Sequence, residues 1–142
     1  MQSYQYLDDV AISDLAFEAR GDTPKEMFEA AAQALFASMA DIQKVRPRVE
    51  KMIRLTHEAL DQLLFDWLAE LIYLKDAEVL LFSRFQADLT HDGSWELKGR
   101  VSGEPIDAQR HILHLDVKAV TYHQLDVKEQ NGKWIARVVL DI

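Results

Sequence analysis

The sequence contains no cysteine, which excludes a disulfide framework, a zinc–thiolate centre and a thiol nucleophile. Glycine and proline are sparse, at five and three copies. The glycines stand at 21, 93, 99, 103 and 132, which matches neither a phosphate-cradling P-loop nor a dinucleotide fingerprint. A Gly-x-Ser-x-Gly nucleophile elbow is also missing. Asp66, Glu70 and Lys75 interrupt the longest apolar stretch, so no membrane span is expected. The N-terminal residues lack the basic-then-apolar order of a secretory signal, and cytoplasm is the expected compartment. Positive charge is the remaining shortage, with 16 Lys and Arg against 24 Asp and Glu and a formal net charge of −8. Such a surface repels a phosphate backbone on average. The best basic cluster, Lys44, Arg46, Arg48, Lys51 and Arg54, is broken by Pro47 and Glu50. Divalent cations or a basic protein fit this charge better than RNA, which would be met only indirectly.

What is present is the composition of a globular domain, 49% hydrophobic and 28% charged over 142 residues, read as one unit spanning 1–142. Leu15, Phe17 and Ala19 alternate with Glu18 and Arg20, the pattern of a half-buried strand over 14–20. Thr23-Pro24-Lys25-Glu26 predicts a capped helix start. The helix it opens carries Phe28, Ala31, Ala32, Leu35 and Met39 on one face. A strand over 49–55 follows, then a second helix from about His57 to about Lys75 with a broad leucine-rich stripe. The remainder reads as strands over 79–89, 95–102, 117–128 and 133–142. His91-Asp92-Gly93 and Gln130-Asn131-Gly132 mark hairpin turns. Helices early and strands late predict an α+β fold, two helices packed on an antiparallel sheet or pair of sheets.

Two acidic clusters stand out. The last residues, Val138-Val139-Leu140-Asp141-Ile142, place an aspartate beside a main-chain carboxylate, and Asp8, Asp9 and Asp14 crowd the start. Carboxylate oxygens suit calcium, magnesium and manganese. The competing reading is that both clusters are solvated strand ends. His111 and His114 would meet as a metal pair only on a helix, and the surrounding Gly103-Glu104-Pro105 predicts a loop instead. In Lys118-Ala119-Val120-Thr121-Tyr122-His123, strand alternation sends Lys118, Val120 and Tyr122 to one face and His123 to the other. Lys118 there either reaches solvent or neutralises carboxylates. His123 is a structural histidine or a group able to exchange a proton near neutral pH. Asp66 and Glu70, four apart on the second helix, read as a solvated face.

Taken in order, several segments resemble the archease family. They are Gly21-Asp22-Thr23 before a Phe-Glu-Ala-Ala-Ala helix, Asp66-Trp67-Leu68-Ala69-Glu70-Leu71-Ile72-Tyr73-Leu74, and Leu81-Phe82-Ser83-Arg84-Phe85. Gly103-Glu104-Pro105, Arg110-His111, Val117 to His123 and Val139-Leu140-Asp141-Ile142 complete the set. The resemblance implies a small α+β protein, not itself an enzyme, that assists the GTP-dependent tRNA-splicing RNA ligase. In that role it promotes guanylylation and repeated turnover during joining of 3′-phosphate and 5′-hydroxyl RNA ends. It implies a divalent-metal site, calcium foremost and manganese or magnesium as alternatives, held by Asp14, Asp141 and the main chain of Ile142. It also assigns a functional role to Lys118, with His123 beside it. The family's Asp-His-Thr-Ala-Asp motif is replaced here by Val10-Ala11-Ile12-Ser13-Asp14. Counting back from Gly21 keeps Asp14 in register, and a different looping of the N-terminal run would bring in Asp8 or Asp9 instead. Two rival expectations are a general protein-binding chaperone in which metal is incidental and a metal-dependent phosphoesterase. Oligomeric state is left open by the sequence.

Overall fold

A computed structural model describes residues 1–8 and 14–142. Asp9, one of the alternative metal ligands, lies outside the described residues, as does the replaced stretch Val10 to Ser13. The order of elements is β1 (Ser3–Leu7), β2 (Asp14–Gly21), α1 (Pro24–Met39), a 3-10 turn (Ile42–Lys44), β3 (Val49–His57), α2 (Leu60–Glu78), β4 (Leu80–Asp92), β5 (Ser94–Pro105), β6 (Ala119–Val120), β7 (Asp126–Gln130) and β8 (Lys133–Asp141).

The strands form two antiparallel sheets with both helices packed against each. One runs β1-β2-β8-β6, with β7 also paired to β8, and the other runs β3-β5-β4. The pair-of-sheets form of the α+β expectation is the one adopted. In the larger sheet, Phe17, Ala19, Ala136, Val138 and Leu140 point into the core, where Phe28, Leu35, Leu64, Trp67, Leu68 and Leu71 of the helices are buried. Burying a large apolar side chain contributes on the order of 1.5–3 kcal/mol, so this shared core fixes both sheets to the helices. Trp67 spans the middle: its indole N–H donates to the Phe28 carbonyl at 3.1 Å, and its ring packs so close to β5 that a Cβ on Gly99 would collide with it.

The helix ends follow their local chemistry. Thr23 Oγ1 accepts the Glu26 amide at 3.2 Å, and the Glu26 carboxylate reaches back to the Asp22 amide at 3.3 Å. These bonds satisfy amides that the first turn leaves without helical partners. Helix α2 runs to Glu78, beyond the expected end near Lys75. It stops at Val79, which adopts a left-handed φ of 55° and turns the chain directly into β4. A β-branched residue in that region is strained, and its carbonyl is held by the Ile106 amide at 2.9 Å.

One strand was not foreseen and one expectation fails, each for a visible reason. Ser3–Leu7 is a strand that the polar, mostly exposed sequence did not announce, since edge pairing to β2 needs no apolar face. The expected continuous strand over 117–128 is broken into β6 and β7. Between them Gln124 has a φ of 54°, and the Leu125 amide donates to the Tyr122 carbonyl at 3.2 Å. Polar side chains hold that turn: Thr121 Oγ1 donates to the Val139 carbonyl at 3.0 Å, and the Arg137 guanidinium donates to Gln124 Oε1 at 2.8 Å. The shared face for Lys118, Val120 and Tyr122 is lost with it, for Val120 is buried while the other two are exposed. No helix of the described residues is long and apolar enough to cross a membrane.

Candidate metal site where β2 and β8 meet

The antiparallel register pairs Asp14 directly with Asp141, and Leu15 with Leu140. Leu15 and Leu140 belong to the core side, so alternation turns both aspartates to the opposite, outer face. Residues paired in this way have Cβ atoms about 4.5–5.5 Å apart, and like charges placed there repel. Both aspartates are half-buried. An ionised pair so placed is stabilised by a cation between its carboxylates, and hard oxygen donors match calcium, magnesium or manganese. The donor set therefore fits the implied group. Asp14 and Asp141 would hold it through their side chains, and the main chain of Ile142 would add an oxygen one residue on. Ile142 packs its side chain against the core, which anchors that main chain. Among the described residues no group of three or more His, Cys, Asp or Glu side chains assembles, so the side-chain contribution is this pair.

The other candidates fall at different distances from it. Ala119 is the register partner of Asp141 on its other side, and the Lys118 amide donates to the Asp141 carbonyl at 2.8 Å. The Lys118 main chain is thus bound next to the pair, its side chain is exposed, and it makes no ion pair among the described residues. Of the two readings of this lysine, the solvent-reaching one describes its position here. His123 is exposed at the turn, its amide donating to Thr121 Oγ1 at 3.3 Å. Asp8 is exposed immediately after β1.

A second polar cluster is of a different kind. Glu104 and His111 are buried at 3% and 4% exposure. Glu104 Oε2 accepts the Arg46 amide at 2.6 Å and lies 3.0 Å from His111 Nε2, while its other oxygen is paired with Arg110. His111 Nδ1 accepts the Asp107 amide at 2.9 Å. That bond leaves the ring proton on Nε2, which therefore donates to Glu104. The Arg110 guanidinium, aided by the Arg46 amide and the His111 ring, holds the Glu104 carboxyl well below the usual range against the opposing effect of burial. This arrangement ties the 104–111 segment to β5 and confirms that His111 is not half of a histidine metal pair. Sequence reading weighed His111 only as a metal partner of His114 and met Glu104 and Arg110 only as parts of a resemblance, because the amide that completes the cluster comes from Arg46, far away in the chain.

Sequence reading also missed an aromatic pair beside Lys118. Phe65 of α2 and Tyr122 stack with ring centroids 3.9 Å apart and planes 4° from parallel. Neither periodicity nor spacing links a helix residue to a turn more than fifty positions later.

With this geometry in place, the chain can be set beside known proteins. The model of the Archease protein family matches residues 4–142. The chain belongs to the archease family. It is 38% identical over 131 residues to protein archease of Methanopyrus kandleri, covering 92% of this chain and 94% of that one. It is likewise 38% identical over 143 residues to protein archease of Methanosarcina mazei, covering 99% and 97%. Among solved structures, protein 1598 of Methanobacterium thermoautotrophicum is 36% identical, with a TM-score of 0.87 and 98% of each chain covered. An archease from Thermotoga maritima, described as a possible chaperone, is 20% identical with a TM-score of 0.62 and 93% of each chain covered, which shows the shared fold. The archease fold therefore extends over both sheets and both helices of this chain.

Proposed function

We propose that this archease-family chain is an accessory protein of the GTP-dependent RNA ligase that joins 3′-phosphate and 5′-hydroxyl ends in tRNA splicing or RNA repair. In this reading it promotes guanylylation and repeated turnover of that ligase and performs no ligation itself. The observation that supports it most is the direct pairing of Asp14 with Asp141 on the outer face of β2 and β8, a like-charged arrangement suited to a cation. A divalent ion held there would neutralise phosphate charge during guanylyl transfer. The chain's own contribution is positional. Asp14 and Asp141 come from adjacent strands fixed by the core, and the Lys118 amide holds the Asp141 main chain while its side chain stays exposed. The net charge of −8 suits docking at a basic, phosphate-binding mouth, with encounter slowed by salt.

The test is multiple-turnover RNA ligation by the cognate ligase with GTP and manganese, with and without this protein, its carboxyl terminus left untagged. Wild type should stimulate turnover, and Asp14→Ala and Asp141→Ala should remove the stimulation while retaining native circular dichroism. Undiminished stimulation by both variants would overturn the metal-centred mechanism and favour a protein-binding chaperone, the role suggested for the Thermotoga maritima relative.

A further inference from the structure

A groove of about 360 Å³ runs between α2 and β6, lined by Phe65, Ala69, Ile72, Tyr73 and Asp76 on the helix and by Lys118, Ala119 and Val120 on the strand. Its floor is apolar, and aromatic rings stand at both ends. Tyr122, 59% exposed, is stacked on Phe65 at one end, and Tyr73, 62% exposed, stands at the other. Exposed tyrosines beside an apolar floor offer large contact area at low entropic cost.

The strand wall adds a second, independent feature. Strand β6 ends the order β1-β2-β8-β6, so one of its sides is unpaired among the described residues. The Thr121 amide points to β8, donating to the Val139 carbonyl at 3.1 Å. Alternation in an antiparallel ladder then turns the N–H and C=O of Val120 to the free side. A helix and a free strand edge facing each other across an apolar groove form the geometry in which an extended peptide adds as one more strand. The helix flank decides the charge of that peptide. Asp66 and Glu70 are half-buried next to the lining residues and make no ion pair among the described residues, whereas Asp76 at the rim is already paired with Lys75 at 2.9 Å. The two unpaired acids outnumber Lys118, the cation on the strand side.

We infer that the α2–β6 groove takes an extended segment of a protein partner, one with alternating apolar and basic residues, added as a strand to β6. The apolar side chains enter over Ala69 and Ile72, the main chain pairs with Val120, and the basic side chains meet Asp66 and Glu70. The inference goes beyond the accessory role proposed above and does not depend on the metal pair. It does place the partner one strand from Asp141, since Ala119 is the register partner of that residue.

The probe is a synthetic seven-residue peptide alternating lysine and valine, titrated into the full chain while backbone amide resonances are followed. Shifts confined to residues 65–76 and 118–122, with slowed exchange of the Val120 amide, are expected. Binding should weaken about tenfold in Ala69→Gln, which fills the groove, and in Tyr73→Ala. Tyr73 is exposed and Ala69 is half-buried at the groove floor, so native circular dichroism of both variants is required, and Tyr73→Ala carries the test if Ala69→Gln disturbs the fold. Binding should also weaken with salt and should be lost when glutamate replaces lysine in the peptide. No binding, shifts centred elsewhere, or unchanged affinity in both variants would overturn the inference. So would self-association of the chain without peptide that Ala69→Gln abolishes, which would make a second copy the occupant. Asp141→Ala separates the two proposals: peptide binding that persists in a protein unable to stimulate the ligase leaves the groove intact and isolates the carboxylate pair.

Discussion

Glu104 and the Asp14–Asp141 pair are both carboxylate sites, and they solve opposite problems. Glu104 is buried with every partner it needs: a guanidinium, a main-chain amide and an imidazole N–H surround it. Asp14 and Asp141 are half-exposed and face each other as like charges with no side-chain cation paired to either among the described residues. A carboxylate whose bonding is complete stabilises the fold and has nothing left to offer a ligand. A pair that repels itself adds little to the fold and gains most when something positive arrives. The first site is built to hold the fold, and the second is the one that a cation could complete.

The largest effect should come from breaking the complete site. Glu104→Ala leaves the Arg46 amide and the His111 N–H without their acceptor and Arg110 without its anion, a loss of about 3 kcal/mol for a broken buried pair. Urea denaturation should show a lower midpoint with little change in slope. The same substitution at Asp14 or Asp141 should change stability by no more than about 0.5 kcal/mol, with relief of repulsion favouring the variant. Equal losses at the two sites would erase the distinction.

Acid sharpens the contrast. The folded-state pKa of Glu104 is held well below its ordinary 4.5 by Arg110, so its stabilisation is present above pH 4.5 and is lost as pH falls through the folded value. Glu104→Gln removes that titration, and the midpoint should then fall less steeply than in wild type from about pH 5 to about pH 3. Asp22, lowered to about 2 by Lys133 and the N-terminal amine, contributes equally to both proteins. Parallel pH profiles would place the acid sensitivity elsewhere.

Calcium should act on the other site alone. At a hundredfold excess over Kd, a ligand bound only to the folded state stabilises it by about 2.7 kcal/mol. Thermal unfolding of wild type should therefore shift upward with added calcium. The shift should vanish in Asp14→Asn and Asp141→Asn and persist in Glu104→Gln. A shift that survives both aspartate changes would move the cation away from the β2–β8 pair.

These two sites also show where sequence suffices. Alternation of Leu15, Phe17 and Ala19 against Glu18 and Arg20 was legible as a half-buried strand, because period-two burial there is a local property, whereas the last strand buries Val138, Val139 and Leu140 in succession and shows no such period. The capping chemistry of Thr23 and the I′-type turn at Asn131-Gly132, with φ of 54° and 76°, were equally local. What could not be read depends on distant partners. The register that sets Asp14 opposite Asp141, the Arg46 amide on Glu104 and the Phe65–Tyr122 stack each join positions far apart in the chain. The break after Val120 was hidden for a related reason. Thr121 and Tyr122 are good strand formers, and the turn is imposed by bonds from Val139 and Arg137 on the neighbouring strand.

The smallest effect is expected at His123. Its side chain is exposed, and the bond that orders the turn comes from its amide to Thr121 Oγ1. His123→Ala keeps that amide, so stability should stay within about 0.5 kcal/mol of wild type. Calcium-induced stabilisation should also be unchanged, because the imidazole is absent from the oxygen donor set. Ligation assays then isolate the one remaining role, contact of the exposed ring with the partner. If His123 serves the partner in that way, the variant should stimulate the ligase less than wild type does. Stimulation equal to wild type would remove His123 from the function and leave Lys118, whose amide is bonded to Asp141, as the side chain to be tested.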